Sequence, residues 1–404
     1  MKINKKLIYL FILFFFQGIV TNIHHPLTPY YVRSLNLNDY MIGLFFSVMN
    51  IGILLGGPFW GNLGDQGKQK KVIFIGLFMY ASGQALFGLG HIFNEWFLVL
   101  FRLISGFGIS AATTVIMSEI ILVSKRESRA KSISYAVAIL ALGGALGYFI
   151  GGQIHTNEFF INLFNTNEFK NALIFQAISI FIVATTFYLT YNPVQISNDS
   201  SKERTYFWEG FKEIKNIKKS LILFLIALTL ITLSQTNVDK YLEIYIADIG
   251  YKADALGNFK MVVGIITIII TLTIVPFFMK FKNKLFLSSI LQIISAITIL
   301  IVFRVNDNIF IKIVYSLFMF YIVSKAIFAP LEQNHISTYS NDENVGKIMG
   351  IRQSFFSLGT IIGPLFGGLI YSVSPNLLFD ISAYLLILSI IFLHLSYLQT
   401  KREN

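Results

Sequence analysis

The 404-residue chain has no cysteine, which excludes disulfides and thiolate metal sites. Charged residues make up only 13% of it, against about 25% in an ordinary soluble domain. No G-x-x-x-x-G-K-[ST] stretch occurs, so there is no phosphate cradle of that kind and energy for any work has to come from a gradient. No metal-ligand spacing or nucleophile–base pairing stands out, so neither a cofactor nor an enzymatic activity is expected. A net charge of +11 would suit a nucleic-acid partner, but the cations fall in short clusters between apolar runs. That distribution is the one cytoplasmic loops of membrane proteins carry, and nucleic acid is excluded as a partner.

What the chain does hold is apolar. Hydrophobic residues make up 55% of it, with 40 Phe and 19 Tyr, more than one soluble core could cover. The lipid bilayer is therefore the expected surrounding. A span needs about 20 mostly apolar residues. Runs of that kind predict helices at 7–34, 38–62, 72–92, 96–123, 131–154, 171–192, 220–248, 255–279, 285–304, 309–338, 347–372 and 377–398. The basic start resembles a signal peptide but lacks a small-residue cleavage site, so it reads as a retained first span. Lysine and arginine cluster at 2–6, 68–71, 125–131, 202–219, 280–284 and 401–402, all on one side of this topology. Both termini are accordingly expected in the cytoplasm.

The polar segment 193–219 is the one long linker, expected to be partly helical around 208–217. It separates residues 1–192 from 220–404, each with six spans. The halves repeat. Gly147-Tyr-Phe-Ile-Gly151-Gly152 returns as Gly363-Pro364-Leu-Phe-Gly367-Gly368; Pro58-Phe59 returns as Pro276-Phe277; Leu27-x-x-Tyr30 returns as Leu242-x-x-Tyr245, all at nearly one offset. Duplicated six-span units are the signature of a secondary transporter with its site near the bilayer midplane. The glycine clusters themselves predict close helix packing for spans five and eleven.

Several groups carry candidate chemistry, because charge inside a span must pair, face water or change protonation. In span seven Gln235, Asp239 and Glu243 recur every fourth residue on one helical face. Two carboxylates so placed would raise each other's proton affinity; the plainer alternative is that Glu243 simply marks the wet end. Lys240 points about 100° away from Asp239. Lys325 and Glu332 share a face of span ten and are the expected partners, whether as a protonation relay or as a static pair. Span one carries His24 and His25 beside Pro26, either a proton relay or a broken helix end. Arg102 lies inside span four, where it either snorkels outward or faces a cavity. The turn Gly61-Asn-Leu-Gly-Asp65-Gln-Gly-Lys68-Gln-Lys70-Lys71 follows span two, with Glu119 at a similar level at the inner end of span four. These residues read as a gate, with the lysines set against acids such as Glu119.

The Gly61–Lys71 turn, Arg102-Leu-Ile-Ser-Gly106-Phe-Gly108 and the two glycine clusters resemble motifs of the major facilitator superfamily, in particular its twelve-span drug:proton exporters from low-GC bacteria. The resemblance covers essentially the whole chain. It implies an all-α membrane protein of twelve transmembrane helices in two pseudo-symmetric six-helix bundles. It also implies proton-coupled export of amphipathic small molecules by a monomer in a bacterial cytoplasmic membrane. Asp239, Glu243 and Glu332 would then couple protons; Arg102, Gln235, Lys325, His25 and Tyr241 would line the substrate cavity. Asp65, Lys68, Lys70, Lys71 and Glu119 would form the cytoplasmic gate. Two departures stand out: Gly67 falls one place before the usual glycine, and Tyr148 replaces the proline of the antiporter motif in span five. The second leaves open a proton symporter or facilitator for a sugar, organic acid or glycolipid headgroup. A non-transporting sensor on the same scaffold is the third reading, disfavoured because no large soluble appendage is evident.

Overall fold

A computed structural model describes residues 5–125, 128–193, 217–281, 283–339 and 345–403. Every regular element among them is helical. In chain order these are α1 (Lys5–Asn22), α2 (Thr28–Ser34), α3 (Tyr40–Leu63), α4 (Gln69–Gly88), α5 (Glu95–Val123), α6 (Arg129–Thr156), α7 (Glu158–Phe164) and α8 (Phe169–Thr190). There follow α9 (Lys219–Asp248), α10 (Ala253–Thr273), α11 (Val275–Phe278), α12 (Lys284–Val302), α13 (Asp307–Val314), α14 (Phe318–Ser337), α15 (Val345–Val373) and α16 (Pro375–Glu403).

Among the described residues, eleven helical stretches are long and apolar enough to cross a bilayer. One of them, Tyr40–Gly88, has 49 residues. At 1.5 Å per residue that is about 74 Å, more than twice a hydrocarbon core of about 30 Å. It divides at Gly67, whose φ of 80° breaks the helix, into α3 and α4. The chain is thus an all-α, multi-pass membrane protein, and this division brings the spans to the expected twelve. The expected helix around 208–217 lies outside the described residues. The short α7, beyond the end of span five, has no counterpart in the hydropathy reading because seven residues are too few to register there.

The helices cluster into two compact units. Unit 1 holds residues 1–204 and 246–264, and unit 2 holds residues 205–245 and 265–404. The segment 246–264 lies beyond the linker in sequence yet belongs to unit 1 by its contacts. Gly152 and Gly257 explain how. A Cβ on Gly152 would lie 2.7 Å from the Ala253 carbonyl oxygen, and one on Gly257 2.7 Å from that of Tyr148. The Tyr30 hydroxyl also donates to the Tyr251 carbonyl at 2.5 Å.

Within unit 1, α5 is held between α3 and α4 by backbone-to-backbone contact. A Cβ on Gly106 would collide with the Met49 carbonyl, and one on Gly76 would sit 2.6 Å from the Gly108 oxygen. Lipid offers no hydrophobic drive between spans, so such van der Waals closeness is what holds them. Gly147 and Gly151 of α6 meet the Ile19 and Ile23 carbonyls of the first span. Unit 2 repeats the device. Gly363 of α15 lies against Leu233 of α9, with 3.0 Å from its would-be Cβ to the carbonyl oxygen, and Gly367 lies against Asn237 and Tyr241. Gly152 serves the 253–254 contact instead, and Gly368 is buried. Gly147 and Gly151 thus pack in unit 1 as Gly363 and Gly367 do in unit 2.

Breaks in the spans are satisfied from neighbours, as backbone in a bilayer requires. The first span is interrupted by a 3-10 turn at His25–Leu27 around Pro26. The carbonyls left open at Val20 and Thr21 accept from Gln176 at 2.8 Å and Tyr80 at 2.9 Å. In unit 2 the Tyr241 hydroxyl donates to the Pro364 carbonyl at 2.7 Å, inside the proline-containing α15.

Gly106→Ala is expected to cost about 1–3 kcal/mol through overpacking against Met49. It should lower the thermal midpoint of the detergent-solubilised protein. Gly57→Ala, whose nearest neighbour to the new Cβ is 3.7 Å away, should leave that midpoint unchanged. Equal midpoints for the two variants would remove the close-packing argument.

Candidate functional site

Unit 2 places the three intramembrane acids in three separate ion pairs. Asp239 of α9 is bound by the Lys325 ammonium of α14, and the Tyr321 hydroxyl lies 3.4 Å from its other oxygen. Both partners keep some exposure, 27% for the Asp239 side chain and 35% for Lys325. Glu243 is buried and faces Lys240, three residues earlier, at 3.6 Å. Glu332 of α14 takes a bidentate pair from Arg352 of α15, with Nε–Oε1 at 2.8 Å and Nη2–Oε2 at 2.9 Å. A cation thus stands against each carboxylate. Lys325 pairs with Asp239 alone in these contacts, while Glu332 turns to Arg352.

Arg352 is the member of this set that sequence reasoning missed. Its signal was the one already used for Lys325, a cation inside an apolar run. Its guanidinium also stacks 4.7 Å over Phe356. Gln353 continues the polar line, donating to Ser357 at 3.3 Å. Gln235, one turn before Asp239, has a buried amide nitrogen with no hydrogen-bond partner in the structure. Tyr241 has no exposed surface, its ring stacked near Tyr371 and its hydroxyl taken by Pro364. It is a packing strut between α9 and α15 in this structure.

In unit 1, Arg102 of α5 is 2% exposed. Its Nη1 donates to Gln84 Oε1 at 3.3 Å, and its guanidinium carbon sits 3.7 Å above the Phe87 ring. Nearby acceptors are already used: the Phe87 carbonyl takes the Tyr31 hydroxyl, and the Thr21 carbonyl takes that of Tyr80. Arg102 neither snorkels nor meets a carboxylate among the described residues. His24 is buried with its Nδ1 3.1 Å from the Gln176 amide. His25 lies flat against Tyr148, ring centroids 5.1 Å apart, and against Phe46 at 5.8 Å. Tyr148, the residue in place of the antiporter motif's proline, is thus a stacking partner.

The turn after α3 is a five-residue π turn, Gly64–Lys68, in which Gly67 takes the positive φ that favours glycine. The apparent register slip of the motif is explained here: the residue that needs to be glycine is Gly67. A Cβ on Gly64 would press on Val115 of α5 at 3.0 Å, which seats the turn on that helix. Two of its lysines have defined contacts. Lys68 donates to Gln66 at 3.2 Å, and Lys70 stands 5.0 Å above the Tyr188 ring. Buried Glu119 accepts from the Tyr191 hydroxyl at 2.5 Å. Unit 1 also contains a cluster that the sequence reading did not single out: Arg33 bridges Asp39, at 3.2 Å, and Asp248. No group of three His, Asp or Glu among the described residues is placed to hold a metal.

The family model described as Major Facilitator Superfamily matches residues 10–324 and 280–404. The chain is 24% identical over 381 residues to "Quinolone resistance protein NorA" of Staphylococcus aureus strain COL, covering 92% of this chain and 91% of the relative. It is 22% identical over 375 residues to "Multidrug resistance protein 2" of Bacillus subtilis strain 168, covering 90% and 88%. Among solved structures, a bacterial homolog of the human lysosomal transporter Spinster superposes with a TM-score of 0.75 at 15% identity, over 97% of this chain and 96% of that one. A D-xylose-proton symporter follows with a TM-score of 0.73 at 16% identity and 96% coverage of both chains. With the helices, the motif turn and the family model in agreement from one end to the other, the chain belongs to the major facilitator superfamily of membrane transporters.

Proposed function

We propose that the protein is a proton-coupled exporter of amphipathic small molecules that works by alternating access. The observation that carries this reading is the Asp239–Lys325 pair. It links α9 to α14 within the span region and remains partly exposed. A proton arriving on the Asp239 carboxylate cancels its charge and frees Lys325 from it, so the link between the two helices is present in one protonation state and absent in the other. A conformational equilibrium moves only if a ligand binds its two states differently. Proton and cargo meet that condition when each favours a different state.

The remaining candidates take supporting roles. Glu332 and Arg352 form a bidentate pair that is 2% and 16% exposed, which suits a fixed strut of unit 2. Glu243, matched to Lys240 on its own helix, is a second acid where a proton could reside. The π turn with Asp65, Lys68, Lys70 and Lys71, resting on α5 near Glu119, suits an inner gate. The excess of basic residues on that face supports cytoplasmic termini in a bacterial cell membrane. The multidrug names of the two relatives support export of lipophilic cargo, and a monomer suffices for each role.

Asp239→Asn is expected to reduce proton-gradient-driven dye efflux from everted vesicles by at least about tenfold, while cargo binding to the purified protein stays measurable. Undiminished gradient-driven efflux would take Asp239 out of the mechanism. Uptake of a labelled sugar or organic acid together with protons would favour symport over export. For the gate, Asp65→Asn should slow turnover and leave both cargo affinity and thermal midpoint near those of the parent protein. A loss of affinity equal to the loss of rate would place Asp65 at the cargo site instead.

A further inference from the structure

We propose that Arg102 and Gln84 form a subsite for a carboxylate carried by the transported molecule. The inference rests on the reading of the chain as a transporter and narrows its cargo. Arginine binds a carboxylate best along one edge of its fork, through two parallel N–H···O bonds. The protein shows this bond in unit 2, where Nε and Nη2 of Arg352 hold the two oxygens of Glu332. The same edge of Arg102, its Nε and Nη2, has no hydrogen-bond partner. The Gln84 amide nitrogen beside it has none either. The group that completes the bidentate edge of Arg102 has to be an acceptor, best an anion.

No carboxylate among the described residues is bonded to it; on the same helix Glu95 and Glu119 lie seven residues before and 17 after it, about 10 and 26 Å along the axis. Gln84 and the Phe87 face hold the guanidinium on its other sides. The ring leaves the bidentate edge to a planar group that stacks or lies alongside it. In this structure the place is shut, with Arg102 almost fully buried. A carboxylate that reaches it must bind a different packing of these helices. Such a ligand thereby discriminates between two states, as a transported molecule must. A purely cationic cargo would gain nothing here and would be repelled by Arg102.

The test is equilibrium binding to the full-length purified protein, read by thermal shift and tryptophan fluorescence. Three acids, ciprofloxacin, nalidixic acid and 2-naphthoate, are each compared with their methyl ester. The expected result is that at least one acid binds about tenfold or more tightly than its ester, as a charge-assisted bond implies. Arg102→Gln should erase that preference and leave ester affinity unchanged; Gln84→Leu should reduce the preference severalfold. If Arg102→Gln does not fold, Arg102→Lys and Gln84→Leu decide, both being expected to weaken the acid and not the ester. A panel in which no acid exceeds its ester overturns the proposal, as does a preference that survives in these variants. Chloride, tested at equal ionic strength, should not reproduce the stabilisation; if it does so in an Arg102-dependent way, a free inorganic anion is the occupant and the cargo subsite is refuted. Dye efflux driven by a proton gradient, measured separately, decides the transporter reading, so the two failures are distinguishable.

Discussion

A charge inside a membrane span is tolerable only with a partner, and that constraint organises the polar interior of this protein. A buried ion pair that loses one member leaves an uncompensated charge costing about 3–5 kcal/mol. Each intramembrane acid of unit 2 has its own cation: Asp239 with Lys325, Glu243 with Lys240, Glu332 with Arg352. The pairs differ in what they can do. Glu332 and Arg352 are bidentate and closed, so either ion alone would be stranded. Asp239 and Lys325 are partly exposed, so a proton can replace the lysine as the partner of the carboxylate. Of the three, this is the pair whose rupture is least costly, because water can receive the ammonium it releases.

The second constraint is that spans in lipid are held by contact and not by the hydrophobic effect. Glycine meets it by letting backbones touch, at Gly106 against Met49 and at Gly151 against Ile23. Few side chains interdigitate at such a contact, so a helix can slide or tilt there without unthreading rotamers. The same residues that make the units compact thus leave them able to repack. Close approach also explains why the polar anchors are side chains reaching carbonyls, such as Gln176 to Val20 and Tyr80 to Thr21. Backbone interrupted at Pro26 has no other source of hydrogen bonds at that depth.

The spans were legible in the sequence because hydropathy over about 20 residues is a strong, local signal. The kink at 64–68 was legible as a turn, but its π geometry was not, since one extra residue per turn leaves no compositional mark. Pairing was legible only within a helix: the spacing that points Lys240 away from Asp239 also points it toward Glu243. The Asp239–Lys325 contact could be named as a candidate from two polar faces, whereas its choice over Glu332 depended on where α14 and α15 lie in space. Arg352 went unread for the same reason; seven residues into α15 it resembles one more cation at a helix end until Glu332 is beside it. The aromatic contacts of the inner end, Tyr191 on Glu119 and Tyr188 under Lys70, were not legible, since level along the membrane does not say which side chains meet. Segment 246–264 was assigned by sequence order, and contacts made through single glycines are invisible to such an assignment.

Arg102 brings the two constraints together. Its position follows from glycine packing, because α5 lies so close to α3 and α4 that a long side chain on its inner face has to lie flat, here over Phe87. Its chemistry follows from pairing: the guanidinium edge Nε and Nη2 has no hydrogen-bond partner, and the Phe87 and Thr21 carbonyls each already accept from a tyrosine hydroxyl. A side chain retained in a closed site at such electrostatic cost does not stabilise the state in which it is closed. It raises the free energy of that state and lowers that of any state in which water or an anion reaches the guanidinium. The Arg102 guanidinium of unit 1 and the Lys325 ammonium of unit 2 are thus governed by one physical quantity, the desolvation of a cation.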